Sequence, residues 1–465
     1  MSLPNRIRLH YSAEFALAAE EPSYPKTDNS QLQLRGPMDA DAFAAAYDAV
    51  VHDFPITQSL IEEAREGLSH RLYWVLQPAR GGRPANPLQR VDLRAEAAPG
   101  QDPVQLIQDF HAERTARVRD LTREFPILFF LLRLEDEVHV LSMVYHHIAV
   151  DAASGYELIK RILAEYHRRV TGEAPPWGES ASIASQAQDR APASPPGFVP
   201  YLRDQLSEYY LKSQRDISQV AGTRRPGTLG RTCHRAIFEP DGALGAMKRL
   251  AKKHQASLSD VLLASISRTI ATWDRERGLP ARSQRCVLVV NSRGRIPETA
   301  NESIALTGLA LPVTAPDVRT LGAVVEHFRD VRSAQWAAGV DVANFRLLDA
   351  IARSTRLMPR QARYFLARRA TQVPVTFLLS NIGIMWPEVK GGRMTGRSEL
   401  TEAGGLSIDD VHSCPSMAKE IGLGVIARTL GGRLFINYSA DRWRFTDEEA
   451  KALTDRINAD LEAIP

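Results

Sequence analysis

The sequence predicts a mixed α/β protein made of two lobes. Its 465 residues exceed the size at which a single hydrophobic core usually stops growing. Segments with helical spacing of apolar residues mix with short strand-like runs in both halves, which favours α/β sandwiches over a bundle or a barrel. The segment 174–200 is rich in Pro, Ser, Ala and Gly and has no apolar period. We therefore predict an N-terminal lobe at 1–173, a linker at 174–200 and a C-terminal lobe at 201–465.

In the first lobe, the segment GPMDADAFAAAYDAVVHDF predicts the end of a strand followed by a helix, in which apolar residues have helical spacing. Asp39 or Asp41 stands at its N-terminus, where a carboxylate can accept hydrogen bonds from free backbone N–H groups. RLYWVLQP predicts a strand, and the stretch from Asp102 to Leu121 predicts a second helix. FPILFFLLRLEDEVHVLSMVYHH predicts two buried strands joined by an acidic turn. A third helix is predicted from about Ala152 to Arg169.

The second lobe begins with a helix from about Ala243 to His254. In the next helix, SLSDVLLASISRTIATW, the residues Leu262, Leu263, Ile266 and Ile270 share one face, as expected of a core helix. Strands are predicted at CVLVVNSR, LALPV, VTFLLSN, LGVIAR and RLFINYSA. The helix DEEAKALTDRINADLEAI closes the chain.

Composition excludes several classes of protein. The formal net charge is only +3, and the basic residues form no dense stripe interleaved with aromatic residues, so we expect no nucleic-acid partner. The first residues hold no apolar run of signal-peptide length, and no run of about 18 apolar residues occurs anywhere, so we expect no membrane attachment and a cytoplasmic location. Cys233, Cys286 and Cys414 have no zinc-type spacing and are interpreted as reduced structural thiols.

The segment LSMVYHHIAVDAASG carries the most informative pattern. A buried strand ends in His146 and His147, and Asp151 follows where a helix begins. Imidazole titrates near neutral pH, so a histidine at a strand end can take a proton from a hydroxyl or an amine. Asp151 is better placed to lock the loop through a buried pair with an arginine than to act as a nucleophile. The alternative is structural, with two polar strand-end residues and an ordinary helix-capping aspartate.

HHIAVDA resembles the His-His-x-x-x-Asp-Gly signature of the chloramphenicol acetyltransferase-like superfamily. This superfamily includes nonribosomal peptide condensation domains, carrier-protein-dependent polyketide acyltransferases and wax ester synthases. The resemblance extends through MKRLAKKHQASLSDVLLASI, CVLVVNSRGR, LLSNIG and INYSADRWRF, which occur in the family's order. It implies two α/β sandwich lobes that meet in a V with a tunnel between them.

The resemblance also implies roles for individual residues. His147 matches the catalytic histidine, the general base, and His146 and Asp151 match structural members of the motif. The arginine that pairs with the aspartate is matched best by Arg293, with Arg295 as a second choice, although either residue is equally explained as a solvated turn residue.

Three further residues are candidates for the tunnel. Ser380 and Asn381 of LLSNIG are placed to hydrogen-bond an acyl carbonyl or an acceptor, while a strand-terminating turn explains them equally well. His412 is a second-lobe histidine that is a candidate tunnel residue or simply a loop residue.

The departures from the family pattern narrow the expected function. Ala152 replaces the usual glycine, which should preserve the helix start and narrow the entrance for the substrate arm. VHDFPITQSL replaces the early His-x-x-Leu-Arg element of ordinary condensation domains, and the late Arg-Asp-x-Ser-Arg-type motif is absent from the sequence. These departures favour a stand-alone enzyme that forms esters or amides, with the ester preferred.

The resemblance thus implies transfer of a polyketide or peptidyl acyl group from a phosphopantetheine thioester to a small alcohol or amine. The donor would be an acyl or peptidyl carrier protein acting in trans, with no bound cofactor or metal, and the protein would be a monomer. Two alternatives are an acyl-CoA-dependent O-acyltransferase similar to wax ester synthases, and a non-catalytic carrier-docking module, which the intact motif disfavours. The basic stretch RSTRLMPRQARYFLARR is a candidate docking patch for an acidic carrier or CoA, or an ordinary solvated helix face. The arginines that would form this patch are Arg356, Arg360, Arg363, Arg368 and Arg369.

Overall fold

The computed structural model describes most of the chain, with the largest gap between the two halves. The described residues are 6–177 and 217–465, except for the longer gaps at 291–307, 314–319 and 341–349. Shorter gaps fall at 10, 67–68, 80, 97–100, 226, 229, 281, 352, 356–357, 372–373, 391–392 and 420.

The first large sheet has six strands in the order β14-β15-β2-β7-β6-β5. Its pairs are antiparallel except β5 with β6. The strands are β2 (Thr27–Arg35), β5 (Gln89–Asp92), β6 (Ile127–Glu135), β7 (Val138–His146), β14 (Glu402–Ala403) and β15 (Leu406–Cys414). A separate three-stranded sheet consists of β1 (Arg6–Arg8), β3 (Ser59–Glu66) and β4 (Ser69–Leu76).

The second large sheet also has six strands, in the order β10-β9-β11-β16-β17-β8. Strand β11 pairs in parallel with both β9 and β16, and the other pairs are antiparallel. The strands are β8 (Arg231–Phe238), β9 (Gln284–Val289), β10 (Gly308–Val313), β11 (Val375–Ile384), β16 (Ile421–Leu430) and β17 (Arg433–Asp441). A small hairpin, β12 (Pro387–Lys390) with β13 (Arg393–Ser398), follows β11.

Helices cover the large sheets. In the first half they are α1 (Tyr11–Ala18), α2 (Ala40–Val51), α3 (Pro103–Ala116) and α4 (Ala152–Thr171). In the second half they are α5 (Ala243–Lys253), α6 (Leu258–Glu276), α7 (Leu321–Ala337), α8 (Arg360–Thr371) and α9 (Asp447–Glu462). One apolar core contains α2, α4 and a face of the first sheet, and a second contains α5, α6 and the second sheet. The mixed α/β fold predicted from the sequence is therefore confirmed.

The chain does not complete one sheet before it begins the other. After β11 has joined the second sheet, β15 crosses to the first sheet and pairs with β2, with His412 opposite Gln31 and Cys414 opposite Asn29. The chain then returns to the second sheet in β16. The division at 1–173, 174–200 and 201–465 therefore stays a prediction. Strands β14 and β15 fall in the predicted C-terminal lobe by sequence but pair in the first large sheet.

The cysteines differ from the sequence-based expectation. Cys233 in β8 and Cys414 in β15 form a disulfide with a Cα–Cα distance of 5.8 Å. The expectation that all three cysteines are reduced is wrong for this pair, because strands of two different sheets lie close enough here to bring together residues 181 positions apart. Cys286 is free and buried. The disulfide links the two large sheets directly.

Candidate active site

Strand β7 carries the histidine motif to the edge of the first core. All nine residues of β7 are buried, as its run of β-branched and aromatic residues requires. His146, the last of them, has its Nε2 3.1 Å from Glu20 Oε2, and both side chains are nearly inaccessible to solvent. Glu20 also accepts a 2.6 Å hydrogen bond from the backbone N–H of Lys26. His146 is therefore buried and paired with Glu20, and its structural role in the motif stays a prediction.

His147 is the more accessible of the two histidines, with 29% of its side chain exposed. Its backbone N–H donates to the Lys26 carbonyl at 2.8 Å, which extends the pairing of β2 with β7 by one residue. The imidazole Nδ1 lies 3.4 Å from the Val150 carbonyl oxygen and 3.7 Å from Asp28 Oδ2. A proton on Nδ1 can therefore be donated to the Val150 carbonyl, and the nearby Asp28 carboxylate favours the proton there electrostatically, which leaves the lone pair on Nε2.

Asp28 is held in place by contacts other than the one with His147. It lies in β2 opposite Tyr145 of β7, is 6% exposed and accepts a hydrogen bond from the Ser416 backbone N–H. Burial raises the pKa of Tyr145 well above its usual value, and the charge of Asp28 raises it further. Burial lowers the pKa of the Arg231 guanidinium, and the negative charge of Asp28 opposes that shift.

Asp151 begins helix α4. Its side chain accepts a 2.9 Å hydrogen bond from the Ser154 backbone N–H, and the helix starts at Ala152. The helix ends at Gly172, whose φ of 75° places it in the left-handed region that glycine tolerates. Asp151 is therefore the N-cap of α4, whereas its pairing with Arg293, which lies outside the described residues, stays a prediction.

A buried polar network joins α4 to both large sheets. The guanidinium of Arg428 in β16 is inaccessible to solvent and donates to Tyr156 Oη at 2.7 Å and to Ser413 Oγ at 2.6 Å. It also donates to Asn437 Oδ1, and Asn437 Nδ2 lies 2.7 Å from His412 Nδ1. Burial lowers the pKa of His412 to about 3, with further lowering from the Arg428 charge, so the ring is neutral at physiological pH.

The remaining sequence candidates are not brought together with His147 by any described contact. His412 is only 3% exposed, so the structure places it in the buried network and not on an open tunnel wall. Asn381 in β11 donates from Nδ2 to Ser259 Oγ at 2.9 Å, and Ser380 beside it is half-buried. Arg293 and its alternative Arg295 lie outside the described residues. Roles for these residues in substrate binding stay predictions.

Two carboxylates near the motif were missed by sequence reasoning. Glu20 and Asp28 lie in the segment EEPSYPKTDNS, whose polar composition resembles a loop, although β2 begins at Thr27. The only local signal was a cluster of acidic residues before a strand. Their partners, His146 and His147, are more than 100 positions away in the sequence, so local pattern gave no way to pair them.

A small apolar cavity adjoins the histidine loop. It is bounded by the 3₁₀ turn after α2, by the start of β6 and by the first turns of α4. The lining residues are Phe54, Pro55, Ile56, Thr57, Ile127, Ala149, Val150, Ser154 and Leu158. Among the described residues, no group of three or more His, Cys, Asp or Glu side chains is arranged to hold a metal ion. In the same part of the chain, no helix is both long and apolar enough to span a bilayer.

The fold and the position of the histidine motif define a class, the condensation-domain fold of nonribosomal peptide synthetases. The first condensation domain of the calcium-dependent antibiotic synthetase, in complex with a substrate analogue, superimposes with a TM-score of 0.70. It is 18% identical, and the match covers 100% of this chain and 97% of that domain. The condensation-domain fold that the resemblance implied is thereby confirmed, whereas the V shape and the tunnel stay predictions.

Two further solved structures share the fold. A mutant starter condensation domain of rhizomide synthetase RzmA, in complex with C8-CoA and Leu-SNAC, matches with a TM-score of 0.66 and 16% identity over 99% of this chain and 94% of that chain. Polyketide synthase associated protein 5 from Mycobacterium tuberculosis matches with a TM-score of 0.61 and 16% identity over 99% and 98%. Identities this low establish the fold alone.

Curated sequences agree with this class. The probable non-canonical nonribosomal peptide synthetase CymA of Salinispora arenicola is 32% identical over 285 residues, which is 57% of this chain and 3% of that protein. The isonitrile lipopeptide synthase of Mycobacterium tuberculosis is 31% identical over 147 residues, which is 31% of this chain and 5% of that protein. This chain therefore spans only a few per cent of the length of these relatives. No family model matches the chain.

Proposed function

We propose that this chain is a condensation-type acyltransferase. It takes a polyketide or peptidyl acyl group from the phosphopantetheine thioester of a carrier protein acting in trans and transfers it to an alcohol or an amine, with an ester as the favoured product. The observation that carries the proposal is the geometry of His147, whose Nδ1 faces the Val150 carbonyl and Asp28 while its side chain remains partly exposed. The condensation-domain fold supports the same class of reaction.

In the proposed reaction His147 acts as the general base. Its Nε2 takes the proton of the nucleophile as the hydroxyl or amine attacks the thioester carbonyl carbon. The new C–O or C–N bond forms, the C–S bond breaks, and the departing thiolate takes the proton from the imidazolium. Proton transfer of this kind contributes about 10² to 10⁴-fold to the rate. Holding both substrates in line supplies much of the remainder.

A second donor has specific support. The RzmA starter domain was solved in complex with C8-CoA, so a domain of this fold holds an acyl-CoA. The corresponding alternative for this chain is an acyl-CoA-dependent O-acyltransferase.

Helix α8 offers a surface for the carrier protein. Its inner side packs Ala367 against Phe15 and Ala19, while Phe365 is 64% exposed and Leu366 is 39% exposed. Exposed apolar residues beside basic side chains suit a partner that is acidic and partly apolar.

The arginines of this basic stretch differ in their contacts and exposure. Arg363 lies 3.9 Å from Glu63, and Arg368 donates to the Glu20 carbonyl at 3.1 Å, so both are engaged with the first half of the chain. Arg369 is exposed. Arg356 and the side chain of Arg360 lie outside the described residues. The docking role of the basic stretch is part of the proposal.

The proposal is tested by intact-mass analysis of acyl transfer. Wild-type protein is incubated with an acyl carrier protein, an acyl-CoA or an acyl-pantetheine mimic, each against a panel of alcohols and amines. We expect product from the carrier-bound donor and more ester than amide. Product from acyl-CoA alone selects the acyl-CoA alternative, and absence of product from every donor overturns acyl transfer in favour of the docking-module alternative.

A further inference from the structure

The positions of Asp28 and His147 suggest a role for a carboxylate outside the histidine motif. We propose that Asp28 is a positioning residue that holds His147 in the Nδ1–H tautomer and stabilises the imidazolium formed during acyl transfer. This inference rests on the proposed function for its catalytic consequence, whereas the tautomer itself exists without substrate.

The distances favour this tautomer. The Val150 carbonyl is 3.4 Å from Nδ1 and Asp28 Oδ2 is 3.7 Å from it, and both groups accept hydrogen bonds without donating any. A bare Nδ1 would face two acceptors, which is repulsive, so the proton belongs on Nδ1. The lone pair then lies on Nε2, where a base needs it.

Asp28 is held firmly enough to act in this way. Its Oδ1 accepts from the Ser416 backbone N–H, which leaves Oδ2 directed toward His147. The side chain is buried between β2 and β7, so its charge is weakly screened by water. Arg231 donates to the Thr27 carbonyl at 2.7 Å and to the Cys414 carbonyl at 3.2 Å. Because Thr27 directly precedes Asp28 in β2, these hydrogen bonds also help to hold the backbone at Asp28.

Other charged and titratable groups lie around the motif on the neighbouring elements. Glu20 is committed to His146 and to the Lys26 backbone N–H. Burial lowers the pKa of the Lys26 amine, and Glu20 opposes that shift. Asp151 caps α4. Of the carboxylates that surround the motif, namely Glu20, Asp28 and Asp151, Asp28 is the one within 4 Å of the His147 ring.

The test measures the tautomer of His147 in the full chain. Histidine labelled with ¹⁵N reports directly which ring nitrogen carries the proton, and a His147→Gln variant assigns the signal. Asp28→Asn removes the charge but keeps an oxygen that can accept from Ser416, so the fold should be maintained. Glu20→Gln is the matched control, since it neutralises the carboxylate that contacts the other histidine.

We expect the wild type and Glu20→Gln to show His147 with its proton on Nδ1. In Asp28→Asn the ratio of the Nδ1–H to the Nε2–H form should fall by about fivefold or more, because the negative charge that favours a proton on Nδ1 is lost. With the best substrates, kcat should fall by about tenfold or more, with a smaller change in KM. An unchanged tautomer ratio in folded Asp28→Asn overturns the positioning role, and so does an unchanged kcat. If the wild type transfers no acyl group while the tautomer shifts as expected, the proposed function fails but the placement of the proton stands.

Discussion

Two buried histidines, His111 and His412, make the stability of the protein dependent on pH. His111 in α3 has its Nε2 2.7 Å from Ser142 Oγ, and burial lowers its pKa to about 3, with a smaller contribution from Arg114. Burial also lowers the pKa of His412 to about 3. An unfolded histidine titrates near pH 6.5. Between about pH 6.5 and 3 the unfolded chain therefore binds protons that the folded chain does not, so stability falls as the pH falls.

We expect each of these histidines to lower the free energy of unfolding by about 2 kcal/mol between pH 7 and pH 5. Urea unfolding of wild type and His111→Gln at these two pH values measures the effect. The fall should be about 2 kcal/mol shallower in the variant than in the wild type. His52→Gln, which changes an exposed residue, is the control and should keep the wild-type pH dependence. Equal pH dependence in wild type and His111→Gln would show that His111 is not buried in its neutral form.

At the scale of elements, local sequence signals predicted the helices better than the sheet partners. The helix predicted from GPMDADAFAAAYDAVVHDF is α2, and of the two capping candidates Asp39 is the cap, accepting from the N–H groups of Asp41 and Ala42. Helical spacing and caps are local, so they are visible in the sequence. The pairing of β15 with β2 joins segments nearly 400 residues apart and leaves no local pattern. For the same reason, the contact between Asp28 and His147 could not be predicted from local sequence.

The exposed side of α8 allows the docking proposal to be tested separately from the chemistry. Phe365→Ser removes the largest exposed apolar side chain of that helix. We expect KM for an acyl carrier protein to rise about fivefold or more, while KM for an acyl-pantetheine mimic stays unchanged, since the mimic has no protein surface to dock. Met394→Ser, at a residue 70% exposed on β13, is the control and should change neither value. Equal effects of Phe365→Ser on both donors would place Phe365 outside the docking surface.

At the scale of the whole molecule, the two large sheets are joined by β15, by the Arg428 network and by the disulfide. The sequence predicted two lobes but not these connections, because they depend on which strands become neighbours. Cysteine spacing carried no signal for a pair 181 residues apart.

The disulfide predicts the number of free thiols in each chain. Under denaturing conditions without reductant, thiol titration should find one thiol per chain, that of Cys286, and three after reduction. Because the bond closes a long loop and joins both sheets, Cys233→Ser should lower the free energy of unfolding by about 2–4 kcal/mol in oxidising buffer. In reducing buffer, wild type and variant should differ much less. Three thiols in the unreduced protein would contradict the pairing.

The proposed role of His147 as the general base of an acyl transfer is best tested by a single-turnover comparison. The best donor and acceptor from the mass assay are given to wild type, His147→Gln and His52→Gln, after urea unfolding has shown all three to be folded. We expect His147→Gln to transfer the acyl group about 10² to 10⁴-fold more slowly than the wild type, and His52→Gln to match the wild type. A folded His147→Gln that transfers at the wild-type rate would contradict that role.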